Sequence, residues 1–377
     1  MRTDTRSAFQ YGLAIFTLTA LLGLANATQL LGALDRNTLL THLHSGTLGW
    51  ITMGVIGVAV WMYGGPDRNM VVRLSALSTA AYVLAFWSGN FYLRATFGTT
   101  ELLVILYWWW FAVSSVRTAG FGRIDIPRLS VALALTTLLI GSTLGVIVQI
   151  LLASGSTRDP QDLVGGHAGA QIGGYLVLVG AAIAEWRLTG GGQRTRAGLA
   201  QAYALFLGGL VLAIGILLNI QPLLLLATVL QVVGIVIVAI RFGGRALGAS
   251  FSGSMRHSAI AVPFLVIGLV LEITFLGQII AAQGDFSKVS VGLNHALDHA
   301  MFVGLMTNTL FGAILAFTAN TPRRWPWADD VVFWGLNVGA AAFIAVLVFV
   351  GSGEGAKPFT HPVSFVAPIM GLSALLG

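Results

Sequence analysis

The stretch THLHSGTLGW at residues 41–50 places two histidines, His42 and His44, at the start of a long apolar run. The run continues to residue 63, and a helix that crosses a bilayer needs about 20 mostly apolar residues. Ionisable side chains inside a bilayer are costly, so they are candidates for function. This stretch therefore predicts a helical membrane protein with its chemistry at histidines near one membrane surface.

The composition of the whole chain points to the same class of protein. Of its 377 residues, 56% are hydrophobic and 9% are charged, whereas an average soluble domain has about 25% charged residues. This composition excludes a soluble enzyme and a disordered chain. The net charge of +6 comes from basic residues scattered singly between apolar runs, as in membrane loops, so we expect no nucleic acid among the partners. The lack of cysteine excludes disulfides, thiolate-ligated haem and iron–sulfur clusters.

We predict an all-α polytopic membrane protein, a single transmembrane domain over residues 1–377 with twelve transmembrane helices in contact with membrane lipid. The loops between the apolar runs leave no room for a soluble domain. One alternative stays open, because residues 1–27 resemble a signal peptide with a cleavage site at Ala25-Asn26-Ala27. The twelve runs, numbered as spans in chain order, lie near residues 9–34, 42–63, 71–92, 101–117, 130–154, 164–187, 198–219, 222–241, 258–282, 290–319, 330–351 and 361–377.

The distribution of basic residues predicts the orientation of these spans. Segments on the N-terminal side hold fifteen arginines and those on the other side hold five basic residues. Cytoplasmic loops carry the excess of Lys and Arg, so we expect a cytoplasmic N-terminus in the plasma (inner) membrane. The first group is Arg2, Arg6, Arg68, Arg73, Arg117, Arg123, Arg128, Arg187, Arg194, Arg196, Arg241, Arg245, Arg256, Arg323 and Arg324; the second is Arg36, Arg94, Arg158, Lys288 and Lys357.

Six of the seven histidines share one level of this topology, in the outer half of the membrane. A single histidine at a helix end is usually solvated or capping, but chance should divide six of them between the two faces. Such a level predicts a functional layer. The six are His42 and His44 on span 2, His167 on span 6, His295 and His299 on span 10, and His361 at span 12.

The spacing of three histidines suggests an internal repeat. His44, His167 and His299 are 123 and 132 residues apart, which is four spans each time, and they open the similar segments HSGTLG, HAGAQIG and HAMFVG. An even number of spans preserves direction, so we interpret them as three parallel four-helix repeats. The glycines would let a flat macrocycle approach the helix, and helix packing alone explains them equally well.

Helix geometry limits how the histidines of span 10 and span 2 can act. His295 and His299 are four apart and share one face within about 40°, with Asp298 at its border. They would suit a metal site, or a haem ligand whose tautomer is fixed by the carboxylate of Asp298. His299 lies about 6 Å deeper, so its ring needs a partner more strongly. His42 and His44 point about 200° apart on a helix, so they would serve different sites unless His42 only caps the span.

These features together resemble subunit I of the haem–copper oxidase superfamily, in short haem-binding relatives such as the NnrS family of nitric-oxide-response membrane proteins. The resemblance covers the chain at the level of topology, with local similarity at residues 41–50 and at LDHAMFVG, residues 297–304. In that superfamily a span 2 and a span 10 histidine bind a low-spin haem from both sides. The resemblance implies a b-type haem between His44 and His299, with His42 and His295 as competing ligands.

The same resemblance implies a metal ligand at His167, which matches the copper ligand on span 6, with His295 as a further candidate. The departures weaken the copper site. Span 7 has none of the adjacent histidines that complete it, and Gln171 stands where the superfamily has a tyrosine. We therefore expect no oxidase-type copper centre, although copper binding itself stays open.

The function implied is that of a haem-binding membrane protein without a complete copper site. It would act in electron transfer, with an unidentified redox partner, or in handling a diatomic gas, NO or O2. Two alternatives stay open. One is an enzyme, a terminal oxidase or nitric oxide reductase, whose unusual second metal site would draw on His42, His167, His295 and His361. The other is a transporter or metal permease with histidines along its path.

Overall fold

The computed structural model describes residues 1–377 except 250, 252, 254, 286, 287, 323 and 324. The described residues contain no strand and form twelve helices of 14 residues or more, joined by short loops. In chain order these are α1 (Thr3–Thr28), α2 (Arg36–Tyr63), α3 (Asn69–Trp87), α4 (Phe91–Ala119), α5 (Ile126–Ala153), α6 (Gln161–Thr189), α7 (Arg196–Leu217), α8 (Gln221–Leu247), α9 (Arg256–Ala281), α10 (Val291–Phe317), α11 (Pro326–Phe349) and α12 (Val363–Leu376).

Eleven of these helices are long and apolar enough to cross a membrane. Their outward faces stay apolar: Leu225, Val229 and Ile240 of α8 are 59%, 59% and 78% exposed, which fits contact with lipid rather than water. The architecture is that of a polytopic, all-helical membrane protein, as the sequence predicted. The twelfth predicted span differs, because α12 has only 14 residues, fewer than the roughly 20 that a perpendicular crossing needs.

Polar N-caps explain why two helices begin earlier than their apolar runs. The Asp35 side chain accepts hydrogen bonds from the backbone N–H groups of Asn37 and Thr38 at the start of α2, a standard N-cap. The Thr38 hydroxyl also donates to this carboxylate and lowers the pKa of Asp35. Asn90 caps α4 in the same way. The histidines of α2 therefore lie about two turns inside the helix instead of at its first residues.

Of the arginines that the sequence analysis assigned to loops, Arg94 and Arg256 are buried and Arg241 is half-buried. Arg94 is 3% exposed on α4. Arg241 forms an ion pair with Glu185 of α6, and Arg256 forms one with Asp330 of α11. These arginines support the helix bundle and are poor indicators of orientation. Arg323 and Arg324, which also entered the charge count, lie outside the described residues.

Helices α2, α6 and α10 each contain a π-helical segment, at Ser45–Thr52, Ala170–Leu176 and Ala300–Thr307. The segments of α2 and α10 end in the same way, because the hydroxyls of Thr52 and Thr307 each donate to the carbonyl five residues earlier, at 2.9 Å. A π segment widens the helix locally and is often found at functional sites. These three wide segments lie directly beside the histidines.

Helices α2, α6 and α10 contact one another at the centre of the bundle. The Trp50 indole N–H of α2 donates to the Thr307 hydroxyl of α10 at 3.0 Å. The Tyr175 hydroxyl of α6 donates to the Thr52 hydroxyl of α2 at 3.3 Å. Both bonds are buried, so they fix the height of the three helices relative to one another.

Candidate functional site

The described histidines of α2, α6 and α10 fall into two groups. His42 lies near His295 and His299. His44 lies near His167, and its interacting neighbours do not include His299. We call His42 and His299 the first pair, and His44 and His167 the second pair.

This grouping changes the ligand pair that the resemblance implied. His42 and His44 are two residues apart, so they point to nearly opposite sides of α2. The ring of His42 lies on α1 near the histidines of α10, and the ring of His44 lies on Phe86 of α3 near His167 of α6. The neighbours of His299 include His42, so the competing ligand His42 is the better candidate for its partner.

All four rings of the two pairs are bound through Nδ1 to a backbone carbonyl. In the first pair, Nδ1 of His42 donates to Thr19 of α1 and Nδ1 of His299 donates to the His295 carbonyl, both at 2.8 Å. In the second pair, Nδ1 of His167 donates to Gly141 of α5 at 2.7 Å and Nδ1 of His44 donates to the Leu40 carbonyl at 2.8 Å.

These bonds fix the tautomer of each ring. A carbonyl can only accept, so Nδ1 carries the hydrogen and the lone pair of a neutral ring lies on Nε2. None of the four Nε2 atoms has a hydrogen-bond partner among the described residues. A histidine that binds a metal through one nitrogen typically donates the other N–H to a carbonyl or carboxylate. Each of the four is therefore oriented as a ligand.

Glycines on the preceding helices make room for two of the rings. A Cβ on Gly23 of α1 would lie 2.8 Å from Cε1 of His42, and a Cβ on Gly145 of α5 would lie 3.0 Å from Nδ1 of His167. Each glycine stands four residues after the residue whose carbonyl accepts the hydrogen bond. The ring thus lies across one turn of the preceding helix, where a larger side chain would block it.

Aromatic side chains on the following helices position the other two rings. His44 stacks on Phe86 of α3, with the ring centroids 3.8 Å apart and the planes at 16°. His299 contacts Phe343 of α11 at 4.6 Å and 55°. The pairs are therefore constructed alike, each from one ring bonded to the preceding helix and one ring held against the following helix.

The four rings are half-buried although they lie deep inside the bundle. The accessible part of each ring therefore faces space between helices rather than the outer surface. A cavity of about 170 Å³ lies elsewhere, between the ends of α6, α7, α8 and α9, and is lined in part by Asp162, Asn219 and Ile279. It includes none of the predicted site residues.

The structure places Asp298 and His295 differently from the sequence-based prediction. Asp298 forms no hydrogen bond with either histidine of α10 among the described residues, and the His295 carbonyl fixes the tautomer of His299 instead. The side chain of His295 lies near Glu354 in the loop after α11 and near the first pair. His167 belongs to the second pair, so the two predicted metal ligands, His167 and His295, lie in different groups.

The remaining histidines have local partners. Nδ1 of His361 accepts the backbone N–H of Val363 at 3.3 Å, where α12 begins. Nδ1 of His257 is bonded to the Asn308 side chain at 2.8 Å in the core. Within the part of the chain that the structure describes, no three His, Asp or Glu side chains are arranged to hold a metal ion.

Arg94 is a functional candidate that the sequence analysis missed. Its guanidinium donates to Asn37 at 2.7 Å and to the Phe86 carbonyl at 2.9 Å, and its Nε has no partner. No described residue forms an ion pair with it. Arg94 lies 4.7 Å above the Phe86 ring, on which His44 also stacks. Its place at the first turn of α4 made it look like a loop charge, and nothing in the local sequence indicated burial.

No known protein family matches this sequence, and no curated protein matches it either. The resemblance to the haem–copper oxidase superfamily thus stays a prediction. What the chain does has to be inferred from the chemistry of the two histidine pairs.

Proposed function

We propose that this chain is a haem-binding membrane protein that transfers electrons, and that His42 and His299 would hold one haem. The observation that supports this most is the geometry of the first pair. Two rings from different helices have Nδ1 fixed by a carbonyl, Nε2 without a partner, and an accessible edge facing the interior. Haem iron, when bound, supplies one-electron redox chemistry.

The residues present suit a haem better than a bare metal ion. Haem iron receives four nitrogens from the porphyrin, so two imidazoles complete its coordination. A bare ion such as zinc needs three or four protein ligands, and the described residues offer no group of three. Gly23 and Phe343 flank the first pair with apolar surface, as a porphyrin requires.

Electron transfer is favoured over binding of NO or O2. An iron with an imidazole on each side has no open position, so a gas could bind only after one histidine leaves. Two histidines fixed by hydrogen bonds at 2.8 Å oppose that loss. The redox partner follows from neither the pair nor its surroundings.

The proposal includes the finer features of the fold. We propose twelve membrane-spanning segments in three parallel four-helix repeats (α1–α4, α5–α8 and α9–α12) with the N-terminus in the cytoplasm of the inner membrane. The three longest π segments of the described residues support the repeat, because each lies in the second helix of its unit, whereas the shorter segment Ala239–Gly243 of α8 has no counterpart. The exposed arginines of the N-terminal side support the orientation.

A metal permease is the second candidate. The observation that favours it is the third imidazole, His295, close to the first pair. The three imidazoles are not arranged as a closed metal site among the described residues, so a permease would hold a divalent ion only weakly as it passes. Such a protein would be colourless when purified and would load its metal reversibly.

The test is an absorption spectrum of the purified protein in detergent, oxidised and reduced. We expect sharp reduced bands of a low-spin haem and no change when carbon monoxide is added to the reduced protein. His42→Ala should weaken the bands, whereas the control His361→Ala, at a histidine outside both pairs, should not. A featureless spectrum from a folded protein would contradict the proposal. A carbon monoxide adduct would instead indicate gas handling.

A further inference from the structure

We infer that the second pair, His44 and His167, holds a second haem, and that Arg94 neutralises the carboxylate groups of that haem. The inference rests on the proposed function, because it assigns the same class of ligand to a second site. The resemblance implied nothing of this kind, since it assigned His44 to the first haem and His167 to copper.

The first step is the alignment of the three wide helices. Their π segments begin at residues 45, 170 and 300, so His44 corresponds to Gly169 and His299. Two residues earlier, His42 corresponds to His167 and Leu297. This alignment differs by two residues from the one that the sequence suggested, in which His167 matched His44.

The alignment makes the two pairs equivalent. The first pair joins His299 of one repeat to His42 of another. The second pair joins His44, which corresponds to His299, to His167, which corresponds to His42. Each pair therefore lies at a contact between two repeats and combines the same two positions.

The hydrogen bonds agree with this correspondence, although the alignment did not use them. The corresponding rings of His42 and His167 donate to a carbonyl of the preceding helix, beside a glycine four residues further along. The corresponding rings of His44 and His299 donate to the carbonyl four residues earlier in their own helix. Their rings also contact a phenylalanine of the following helix. If the first pair is built to bind a haem, the second is built in the same way.

Arg94 gives independent support for a bound anion at the second pair. A buried guanidinium without a carboxylate partner is costly, yet Arg94 is 3% exposed and its Nε is unpartnered. It shares the Phe86 ring with His44 and interacts with that histidine electrostatically. A haem carries two carboxylates on its propionate chains, and these would supply the missing negative charge.

The experiment is the haem-to-protein ratio of the purified chain, measured as the pyridine haemochrome against amino-acid analysis. We expect about two haems per chain by the two-pair count. His167→Ala and His299→Ala should each retain one haem, their double variant none, and the control His361→Ala both. The haem that remains in each single variant reports that the chain is folded.

The outcomes separate this inference from the proposed function. Wild-type protein without haem would overturn both. One haem that is lost in His299→Ala and kept in His167→Ala would overturn the second site and leave the proposed function standing. Two haems that both survive His167→Ala would also overturn the second site.

The role of Arg94 is tested by redox titration of Arg94→Gln. Removing a nearby positive charge favours the oxidised haem, so the midpoint potential of one haem should fall. This should be the haem that His167→Ala removes, and the other should keep its potential. The control is Arg123→Gln, an exposed arginine in the loop before α5, which should change neither. Unchanged potentials in Arg94→Gln would overturn this assignment.

Discussion

Two helix contacts in the bundle invite comparison, that between α2 and α6 and that between α6 and α10. They have similar geometry but hold different side chains. Both join helices that carry a π segment. At the first contact, the corresponding positions hold His44 and His167. At the second, they hold Gly169 and Leu297, and Leu297 is only 4% exposed.

At the position of Gly169, α6 instead packs closely against α7, and we call this packing of α6 on α7 the sealed contact. A Cβ on Gly169 would lie 3.4 Å from the Ala213 Cα of α7, and a Cβ on Gly209 of α7 would lie 2.3 Å from the Gly174 Cα of α6. A glycine in place of the histidine lets the backbones touch. One wide-helix framework therefore provides either a pair of ligands or a sealed contact, depending on the residue at one position.

The largest expected effect separates the two histidines of α10. His299→Ala should abolish the haem signal of the first pair, because His299 supplies an Nε2 oriented by the His295 carbonyl. His295→Ala keeps that carbonyl and should leave the signal. The measurement is the reduced-minus-oxidised spectrum of each variant. If His295→Ala removes the signal and His299→Ala keeps it, the ligand assignment on α10 is wrong and the fold is unaffected.

The sealed contact is tested by Gly209→Ala. The new methyl group would meet the backbone of Gly174, which cannot move aside as a flexible side chain could. We expect a loss of about 3 kcal/mol in the free energy of unfolding, as for an overpacked core, measured by thermal unfolding in detergent. The matched control is Gly277→Ala on α9, where a Cβ meets nothing within 4 Å. Equal stability of the two variants would mean that the contact is looser than described.

A smaller effect is expected at the glycine that makes room for His167. Gly145→Ala would place a methyl group 3.0 Å from Nδ1 of His167, so the ring has to shift by a few tenths of an ångström. We expect the haem affinity of the second pair to fall by about tenfold, or about 1.4 kcal/mol, with the first pair unchanged. Haem titration of the apoprotein measures this. Gly23→Ala should lower the haem affinity of the first pair instead. If Gly145→Ala affected the first pair and Gly23→Ala the second, the correspondence between the pairs would be wrong.

The smallest expected effect concerns copper, because we expect no oxidase-type copper centre. His167 faces His44, and α7 supplies no histidine. Metal analysis of the purified protein should find far less than one copper per chain, and a copper chelator should leave the spectrum unchanged. One copper per chain that disappears in His167→Ala would revive the oxidase alternative and make the second pair a metal site.

The helices could be predicted from the sequence, because they depend on local composition. An apolar run of sufficient length forms a helix in a membrane whatever surrounds it. The opposite directions of His42 and His44 also follow from helix periodicity alone. The sequence also suggested a repeat in α2, α6 and α10 with His167 aligned to His44, whereas the π segments, which only the structure provides, align His167 with His42.

The pairing of the histidines was decided only by the tertiary structure. The π segments fix which residues correspond, and their positions depend on contacts between helices, such as the bond from Trp50 to Thr307. The burial of Arg94 depends on Asn37 and Phe86, which come from two other helices. Composition and periodicity act within one segment of chain. The partner of a side chain depends on the packing of several helices at once, and no single segment contains that information.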